Sequence, residues 1–297
     1  MNKISILHLI TAAKNASPFD VNMAFDAGYE KIMPYIGVTL NEVEGLTQDA
    51  IFSRSPSGIK QEALFFGGRD IHLALDMQKA ARAAMFKPFE ISTFSDPSGA
   101  FTTAAAMLAN VETFLKSKQQ TLSDQHIAIF GASGTVGSTA ALIAARQGAT
   151  VKMMAHADLA SMQSYVDNMQ QRYDVNLEVV DGSTDAAKHE ALQHATVALC
   201  AAPAGVRVLK LDHFSSSTSL KVVADVNAVP PSGIEGVDVM ANAVKIGETD
   251  IAGFGALAIG RLKYVTQHEL LKSMLASDKP VHMDYHDAYD YACTHAK

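Results

Sequence analysis

The sequence has few cysteines and no excess of positive charge. Cys200 and Cys293 are its only cysteines, and neither belongs to a C-x-x-C pair. A disulfide framework and a cysteine-based zinc or redox motif are therefore disfavoured, and two unpaired thiols are typical of a reducing compartment. The formal net charge of −7 disfavours a general nucleic-acid binder, because such a protein needs positive charge to displace counterions from phosphates.

Long apolar runs are also missing. No segment reaches the roughly 18 consecutive apolar residues of a membrane helix, and the N-terminal residues lack the apolar core of a signal peptide. We therefore expect a cytoplasmic protein. Hydrophobic residues make up 48% of the 297 residues and charged residues 19%, which is typical of a globular chain with about two domains.

Short apolar runs alternate with segments of helical periodicity, and the polar segment 116–125 separates two such series. This alternation predicts parallel sheets covered by helices, so we expect an α/β protein with two domains. The predicted strands of the first series are 4–10, 32–38, 63–66 and 89–94, and its predicted helices are 18–27, 41–52, 70–86 (with Asp70 as N-cap) and 102–115. The predicted strands of the second series are 126–130, 149–155, 177–181, 196–202 and 220–226.

The strongest local motif is a glycine-rich turn, G-x-x-G-x-x-G, from Gly131 to Gly137, between a predicted strand and a predicted helix at 138–147. It differs from the common G-x-G-x-x-G dinucleotide fingerprint in the place of the second glycine. Gly131 permits a tight turn, Gly134 lets a pyrophosphate approach the helix N-terminus, and Gly137 lets the helix pack on the strand. The motif predicts a Rossmann-like dinucleotide-binding domain over 120–261; the alternative is a glycine turn that binds no ligand. The predicted cofactor-binding residues of this turn are Gly131, Ser133, Gly134, Thr135, Val136 and Gly137.

The end of the second strand of this domain bears on the choice of cofactor. A carboxylate there would bind the adenosine ribose of NAD, whereas an arginine would accept the 2′-phosphate of NADP. Asp158 is available for the first role and no arginine lies nearby, so the sequence favours NAD. His156 is a candidate for a contact with the adenosine. The alternatives are that Asp158 is only a helix N-cap and that His156 is an ordinary residue at the end of a strand.

Two further candidates follow the fourth and fifth strands, where ligands of open α/β sheets lie. Ala201 is small enough to admit the nicotinamide ribose, and Asn227 is a candidate for a hydrogen bond to the carboxamide. The alternative for Asn227 is a plain turn ahead of Pro230 and Pro231. His282 and His286 are spaced to share one helix face, but no third ligand is evident, so we expect no metal site.

Four other tracts occur in one order along the chain, and with the glycine turn they carry a resemblance. They are SPFDVNMA at residues 17–24, GGRD at 67–70, DPSGAFTTAAA at 96–106 and DVNAVPP at 225–231. Over its whole length the sequence resembles the bacterial NAD(P)-dependent methylene-tetrahydromethanopterin dehydrogenases of methylotrophs. Many of these proteins have an arginine at the position of Ala157, so this chain departs from them where NADP would bind.

The resemblance implies a pterin-binding domain formed by 1–115 and completed by 262–297. It implies oxidation of methylene-tetrahydromethanopterin to the methenyl form, in formaldehyde oxidation and one-carbon metabolism, and a homo-oligomer. It also implies that Phe19 and Asp20 belong to the pterin site and that Lys263 is an active-site lysine. The residue-level alternatives are a core phenylalanine, a first-turn carboxylate and a surface lysine.

Thr102 and Thr103 open a predicted helix near the domain junction. They are candidates for lining the substrate cleft, and the alternative is that their hydroxyls bond to backbone. No tyrosine is followed four residues later by a lysine, the catalytic pair of related bifunctional folate enzymes, so we expect no cyclohydrolase activity.

Three other functions compete with this one. The same reaction on tetrahydrofolate remains open, because the two pterins share their reactive centre. A non-catalytic NAD-binding redox sensor would not need the tracts outside the nucleotide domain. A shikimate-type dehydrogenase would need a lysine–aspartate pair in the first domain, and Lys14 with Asp20 is a poor fit.

Overall fold

The computed structural model describes residues 3–297. The strands are β1 (Ile6–Thr11), β2 (Lys31–Ile36), β3 (Glu62–Phe66), β4 (Ser92–Ser95), β5 (His126–Phe130), β6 (Thr150–Ala155), β7 (Glu178–Asp181), β8 (Val197–Cys200), β9 (Val222–Asp225), β10 (Val244–Lys245), β11 (Ala252–Phe254) and β12 (His282–Met283). The helices are α1 (Pro18–Asp26), α2 (Val43–Phe52), α3 (Ile71–Ala84), α4 (Ala100–Ser117), α5 (Thr135–Arg146), α6 (Leu159–Tyr173), α7 (Asp185–His194), α8 (Ala256–Ala276) and α9 (Tyr285–His295).

The chain forms two compact units. The first contains the residues up to Thr102 together with Tyr264–Ala288, and the second contains Thr103–Lys263 together with Tyr289–Lys297. The functional domains expected from the sequence, 1–115 with 262–297 and 120–261, remain a prediction.

The first unit is built on a five-stranded parallel sheet in the order β12-β4-β3-β1-β2. Its central strand β3 is buried along its whole length, whereas the edge strand β2 is mostly exposed. Such sheets bury their central strands because helices cover both faces. Strand β2 pairs with one side of β1, and the next strand in the chain, β3, pairs with the other side. The crevice at the carboxyl ends of β1 and β3 is therefore the expected ligand position.

The second unit contains a seven-stranded sheet in the order β10-β11-β9-β8-β5-β6-β7, parallel except for the edge strand β10. Read from β7, the six parallel strands follow the order 3-2-1-4-5-6 of dinucleotide-binding folds. Strand order reverses between β5 and β8, so their carboxyl ends flank the expected ligand crevice. The expectation of an α/β protein with two parallel sheets, one of them Rossmann-like, is confirmed.

Two local predictions match the structure closely. Strand β5 has the predicted bounds, and Asp70 is the N-cap of α3, accepting from the N–H groups of His72 and Leu73. Helix α5 begins at Thr135 and not at 138, because the last three residues of the glycine motif already have helical geometry. The short strands β10, β11 and β12 were not predicted.

The C-terminal segment corrects the prediction that His282 and His286 share a helix face. His282 lies in β12, and its Nδ1 is 3.0 Å from Thr93 Oγ1, whereas His286 lies in α9. Further along α9, the Tyr289 hydroxyl donates to Glu112, and the Cys293 Sγ lies 3.3 Å from the same carboxylate. These bonds connect α9 to α4.

Within residues 3–297, no helix is both long enough and apolar enough to span a membrane.

Candidate functional site

Backbone crowding explains why glycine occupies the first position of the turn after β5. Gly131 has a φ of +72°, a conformation that side chains disfavour. A Cβ atom there would lie 2.5 Å from the carbonyl carbon of Ala201, at the end of β8. The turn therefore crosses directly over the end of the neighbouring strand, and only glycine fits at that crossing.

The other two glycines meet different constraints. A Cβ on Gly137 would lie 2.3 Å from Gly131 O and 2.8 Å from the Ala132 Cα, so this glycine lets α5 pack against the turn. Gly134 is exposed and is the N-cap of α5. Ser138 N makes a 2.8 Å bond to Gly134 O, so the N–H groups of residues 135–137 precede the first i→i−4 bond of the helix. Such N–H groups at a helix N-terminus form an anion-binding site.

A groove of about 290 Å³ lies beside this turn. It runs from the turn to the end of β6 and the start of α6. Its lining residues are Gly131, Ala132, Ser133, Met154, Ala155, His156, Ala157, Asp158, Ser161, Met162 and Tyr165. The structure thus places two of the six predicted pyrophosphate-binding residues, Gly131 and Ser133, on one groove with the two predicted adenosine-binding residues, His156 and Asp158.

Asp158 is the N-cap of α6. Its Oδ1 accepts from the N–H groups of Ala160 and Ser161 at 3.0 and 3.1 Å. The capping interpretation is therefore correct, and it is compatible with ribose binding because the two bonds use only one carboxylate oxygen. His156 is exposed at the end of β6.

The loops that follow β8 and β9 are braced by two buried polar residues. Asn227 Oδ1 accepts from Gly205 N at 3.2 Å and Val229 N at 2.9 Å, and Asn227 Nδ2 donates to Pro231 O at 2.9 Å. This amide therefore holds both loops in place, and its contact with a carboxamide stays a prediction. Ala201, partly buried next to Gly131, is where the turn crosses β8.

Asp225, which sequence reasoning did not select, stabilises the same loops. Its carboxylate accepts from Asn227 N at 3.0 Å and Ile234 N at 3.1 Å, and burial raises its pKa above the usual range. Burial and the nearby Asp225 carboxylate raise the pKa of the Cys200 thiol to about 12. Cys200 is therefore a neutral thiol at physiological pH, in agreement with a structural role.

In the first unit, Asp20 lies at the carboxyl edge of the sheet. It is 4% exposed, and Gln267 Nε2 donates to its Oδ1 at 3.2 Å. A Cβ on Gly67, the residue after β3, would lie 3.6 Å from Asp20 Oδ2. Since Gly67 N also donates to Ile10 O of β1, the Asp20 carboxylate sits at the β1–β3 crevice. Gln267 was not found from the sequence, because only the tertiary fold places it against Asp20.

The remaining predicted substrate residues have different settings. Phe19 is 46% exposed in the first turn of α1, so it is not a core phenylalanine. Thr102 is fully buried, and its hydroxyl donates to Asp96 Oδ2 at 2.7 Å, which stabilises the start of α4. Thr103 is partly buried in α4. Lys263 is 9% exposed in α8, so it is not a solvated surface lysine, and it lies one helical turn before Gln267.

Among the described residues, no group of three or more His, Cys, Asp or Glu side chains is arranged to hold a metal ion.

Comparison with known proteins decides the family. Residues 18–98 match the family model of the N-terminal domain of methylene-tetrahydromethanopterin dehydrogenase. The chain is 43% identical to the NAD(P)-dependent methylenetetrahydromethanopterin dehydrogenase of Methylorubrum extorquens, over 97% of both chains. The chain belongs to the NAD(P)-dependent methylenetetrahydromethanopterin dehydrogenase family. It is also 29% identical to the bifunctional protein MdtA of the same organism, over 93% of both chains.

A solved structure of another dehydrogenase has a similar fold. Shikimate 5-dehydrogenase from Listeria monocytogenes, in complex with shikimate and NAD, superposes with a TM-score of 0.50 over 97% of this chain and 95% of its own. At 15% identity this likeness concerns the fold alone. The family member described here therefore has an overall fold similar to that of this shikimate 5-dehydrogenase.

Replacing Gly137 by Ala tests the close contact at the turn. The new methyl group would overlap Gly131 O, so we expect a loss of about 1–3 kcal/mol in the free energy of unfolding and weaker binding of a dinucleotide. Gly45→Ala is the matched control, because Gly45 is also helical and has open space around it. That change should raise the free energy of unfolding by up to about 1 kcal/mol. Urea denaturation and titration with NAD measure both effects; a Gly137→Ala protein as stable as Gly45→Ala would contradict the crowding.

Proposed function

We infer that this protein oxidises methylene-tetrahydromethanopterin to the methenyl form by transferring a hydride to NAD(P), as part of one-carbon metabolism. The observation that carries this inference is the 43% identity over 97% of the chain to an enzyme of that name. The glycine turn after β5 and the buried carboxylate at the edge of the first sheet support it, since they would suit a pyrophosphate and a cationic group respectively.

The reaction makes modest chemical demands on the protein. The methylene carbon lies between two nitrogen atoms, and loss of a hydride leaves a cation that their lone pairs delocalise. A bound nicotinamide would accept the hydride, so no side chain has to remove a proton. The protein has to orient the reactants, exclude water and stabilise the developing positive charge.

Asp20 is the residue that we assign to the developing positive charge. Its carboxylate is buried and hydrogen-bonded to Gln267, so it is held in one position at the carboxyl edge of the first sheet. A preorganised charge in a site that excludes water interacts with the transition state more strongly than a solvated one does. We assign the exposed ring of Phe19 to packing against the pterin. Lys263, Thr102 and Thr103 are proposed to contribute to substrate binding, Lys263 through its ammonium group and the threonines near the start of α4.

The second unit is proposed to hold the dinucleotide. The turn from Gly131 to Gly137, with Ser133, Thr135 and Val136, would bind the pyrophosphate. His156 and Asp158 would contact the adenosine half, and Ala201 and Asn227 the nicotinamide half.

We further propose that NAD is preferred to NADP. The N-terminus of α6 lies on the adenosine end of the groove and would by itself attract a 2′-phosphate. The carboxylate of Asp158 already caps that N-terminus and would repel the phosphate. Ala157 offers no positive charge in compensation.

Four properties that the resemblance or composition implies remain proposals. They are the function of the first unit as pterin domain, the absence of cyclohydrolase activity, the homo-oligomer and the cytoplasmic location.

The direct test is turnover of purified protein, followed at the absorbance band of reduced nicotinamide. We expect reduction with methylene-tetrahydromethanopterin, faster with NAD than with NADP, and slower reduction with methylene-tetrahydrofolate. Faster turnover of the folate would favour the folate enzyme instead. Tight binding of NAD without reduction by either pterin would contradict an enzyme and favour the redox sensor.

Asp20→Asn removes the proposed charge but keeps the shape of the side chain. We expect kcat to fall by roughly 10²-fold, with little change in the KM for NAD. Asp26→Asn is the matched control, because Asp26 lies at the other end of α1 and bonds to Tyr264 at the surface. If the two variants kept equal activity, the assignment of Asp20 would be wrong.

Asp158→Asn separates the two roles of this residue. Asparagine is as good an N-cap as aspartate, so α6 should remain intact while the repulsion of a 2′-phosphate disappears. We expect the ratio of kcat/KM for NADP to that for NAD to rise by about tenfold, which corresponds to about 1.4 kcal/mol. Asp167→Asn, an exposed change farther along α6, should leave the ratio unchanged. An equal ratio in Asp158→Asn and wild type would refute the charge argument.

A further inference from the structure

A chain of hydroxyl groups connects α6 to the glycine turn. Ser138 is fully buried in the first turns of α5, and its Oγ donates to Ala132 O at 2.9 Å. The hydroxyl of Tyr165, on α6, lies 2.7 Å from the same Oγ. A carbonyl oxygen can only accept, so the single hydroxyl proton of Ser138 is used for Ala132. Tyr165 is therefore the donor to Ser138, and the direction of the chain is fixed.

The carbonyl at the end of this chain belongs to the peptide that joins Ala132 to Ser133. A trans peptide is planar, and its C=O and N–H groups point in opposite directions. Holding Ala132 O toward the buried Ser138 therefore turns Ser133 N–H away from the helix and out of the turn. Ser133 is exposed and lines the groove of the candidate site. The hydroxyl chain thus determines where one N–H group of the proposed pyrophosphate site points.

Helix α6 and its N-cap line two parts of the groove. The helix begins at Asp158, at the proposed adenosine end, and its Tyr165 reaches the turn at the proposed pyrophosphate end. The crowding at Gly137 leaves Ala132 with little freedom to move, but it does not determine the orientation of the peptide that follows Ala132. The hydrogen bond from Ser138 Oγ to Ala132 O favours one orientation of that peptide.

We propose that Tyr165 is a positioning residue for the dinucleotide pyrophosphate, acting through Ser138 on the peptide between Ala132 and Ser133. The proposal rests on the proposed binding of a dinucleotide to this turn. It assigns Tyr165 no contact with the reacting atoms, so its removal should weaken cofactor binding and leave the chemistry of the bound complex unchanged.

Calorimetric titration with ADP-ribose and with adenosine tests the proposal, because only ADP-ribose carries the pyrophosphate. The variants are Tyr165→Phe, Ser138→Ala and the double variant. Loss of one hydrogen bond in the chain should raise the Kd for ADP-ribose by roughly three- to tenfold. The Kd for adenosine should not change. The double variant should bind ADP-ribose no more weakly than Ser138→Ala, because both changes break one chain.

Tyr173→Phe is the matched control, since Tyr173 lies on the same helix and its hydroxyl accepts from Arg172 Nε. It should bind both ligands as the wild type does. In turnover, Tyr165→Phe should raise the KM for NAD by a factor similar to the change in Kd, with kcat and the KM for the pterin unchanged.

Three results would overturn the positioning role while the wild type still binds ADP-ribose. They are unchanged ADP-ribose binding by both single variants, an equal loss of adenosine binding, and additive losses in the double variant. If the wild-type protein itself bound no ADP-ribose, the proposed function would fail first, and that outcome is recognisable without any variant.

Discussion

The close approach of the turn after β5 to the end of β8 is the constraint on which the candidate site depends. Side chains are excluded at Gly131 by the backbone of Ala201, and at Gly137 by the backbone of the turn itself. Because no side chain intervenes, α5 starts directly at the carboxyl edge of the sheet, with its first N–H groups facing outward. The position of the proposed pyrophosphate site follows from this packing, and the groove beside it extends to the start of α6.

The same rule of open α/β sheets applies to the first unit. Its strand order reverses between β1 and β3, and the buried carboxylate of Asp20 lies at that crevice. The two units thus use one architectural principle to place groups of opposite character. Backbone N–H groups at the edge of one sheet suit an anion, and a carboxylate at the edge of the other suits a cation. These are the two kinds of charge that a dinucleotide and the methenyl product would bring to the proposed hydride transfer.

The sequence alone predicted the features of the structure that depend on local contacts. The glycine spacing, the bounds of β5 and the cap at Asp70 depend on neighbours in the chain, and they were predicted. The sequence did not predict a role for three other residues, Gln267, Tyr165 and Asp225. Each is hydrogen-bonded to a partner that only the fold brings near: Gln267 to Asp20, Tyr165 to Ser138, and Asp225 to the backbone N–H of Ile234. No local pattern marks such residues. The two-residue strand β12 was missed because it gains its bonds only by lying beside β4.

Direct transfer of a hydride, without a protein base, is the central claim about the chemistry. It is tested most directly with methylene-tetrahydromethanopterin that carries two deuterium atoms on the methylene carbon, oxidised by the wild-type protein with NAD in ordinary water. We expect one deuterium in the reduced nicotinamide and one in the methenyl product, since the hydrogen moves without contact with solvent. Unlabelled reduced nicotinamide would show that the hydrogen exchanges with water on the way, and it would contradict a direct transfer.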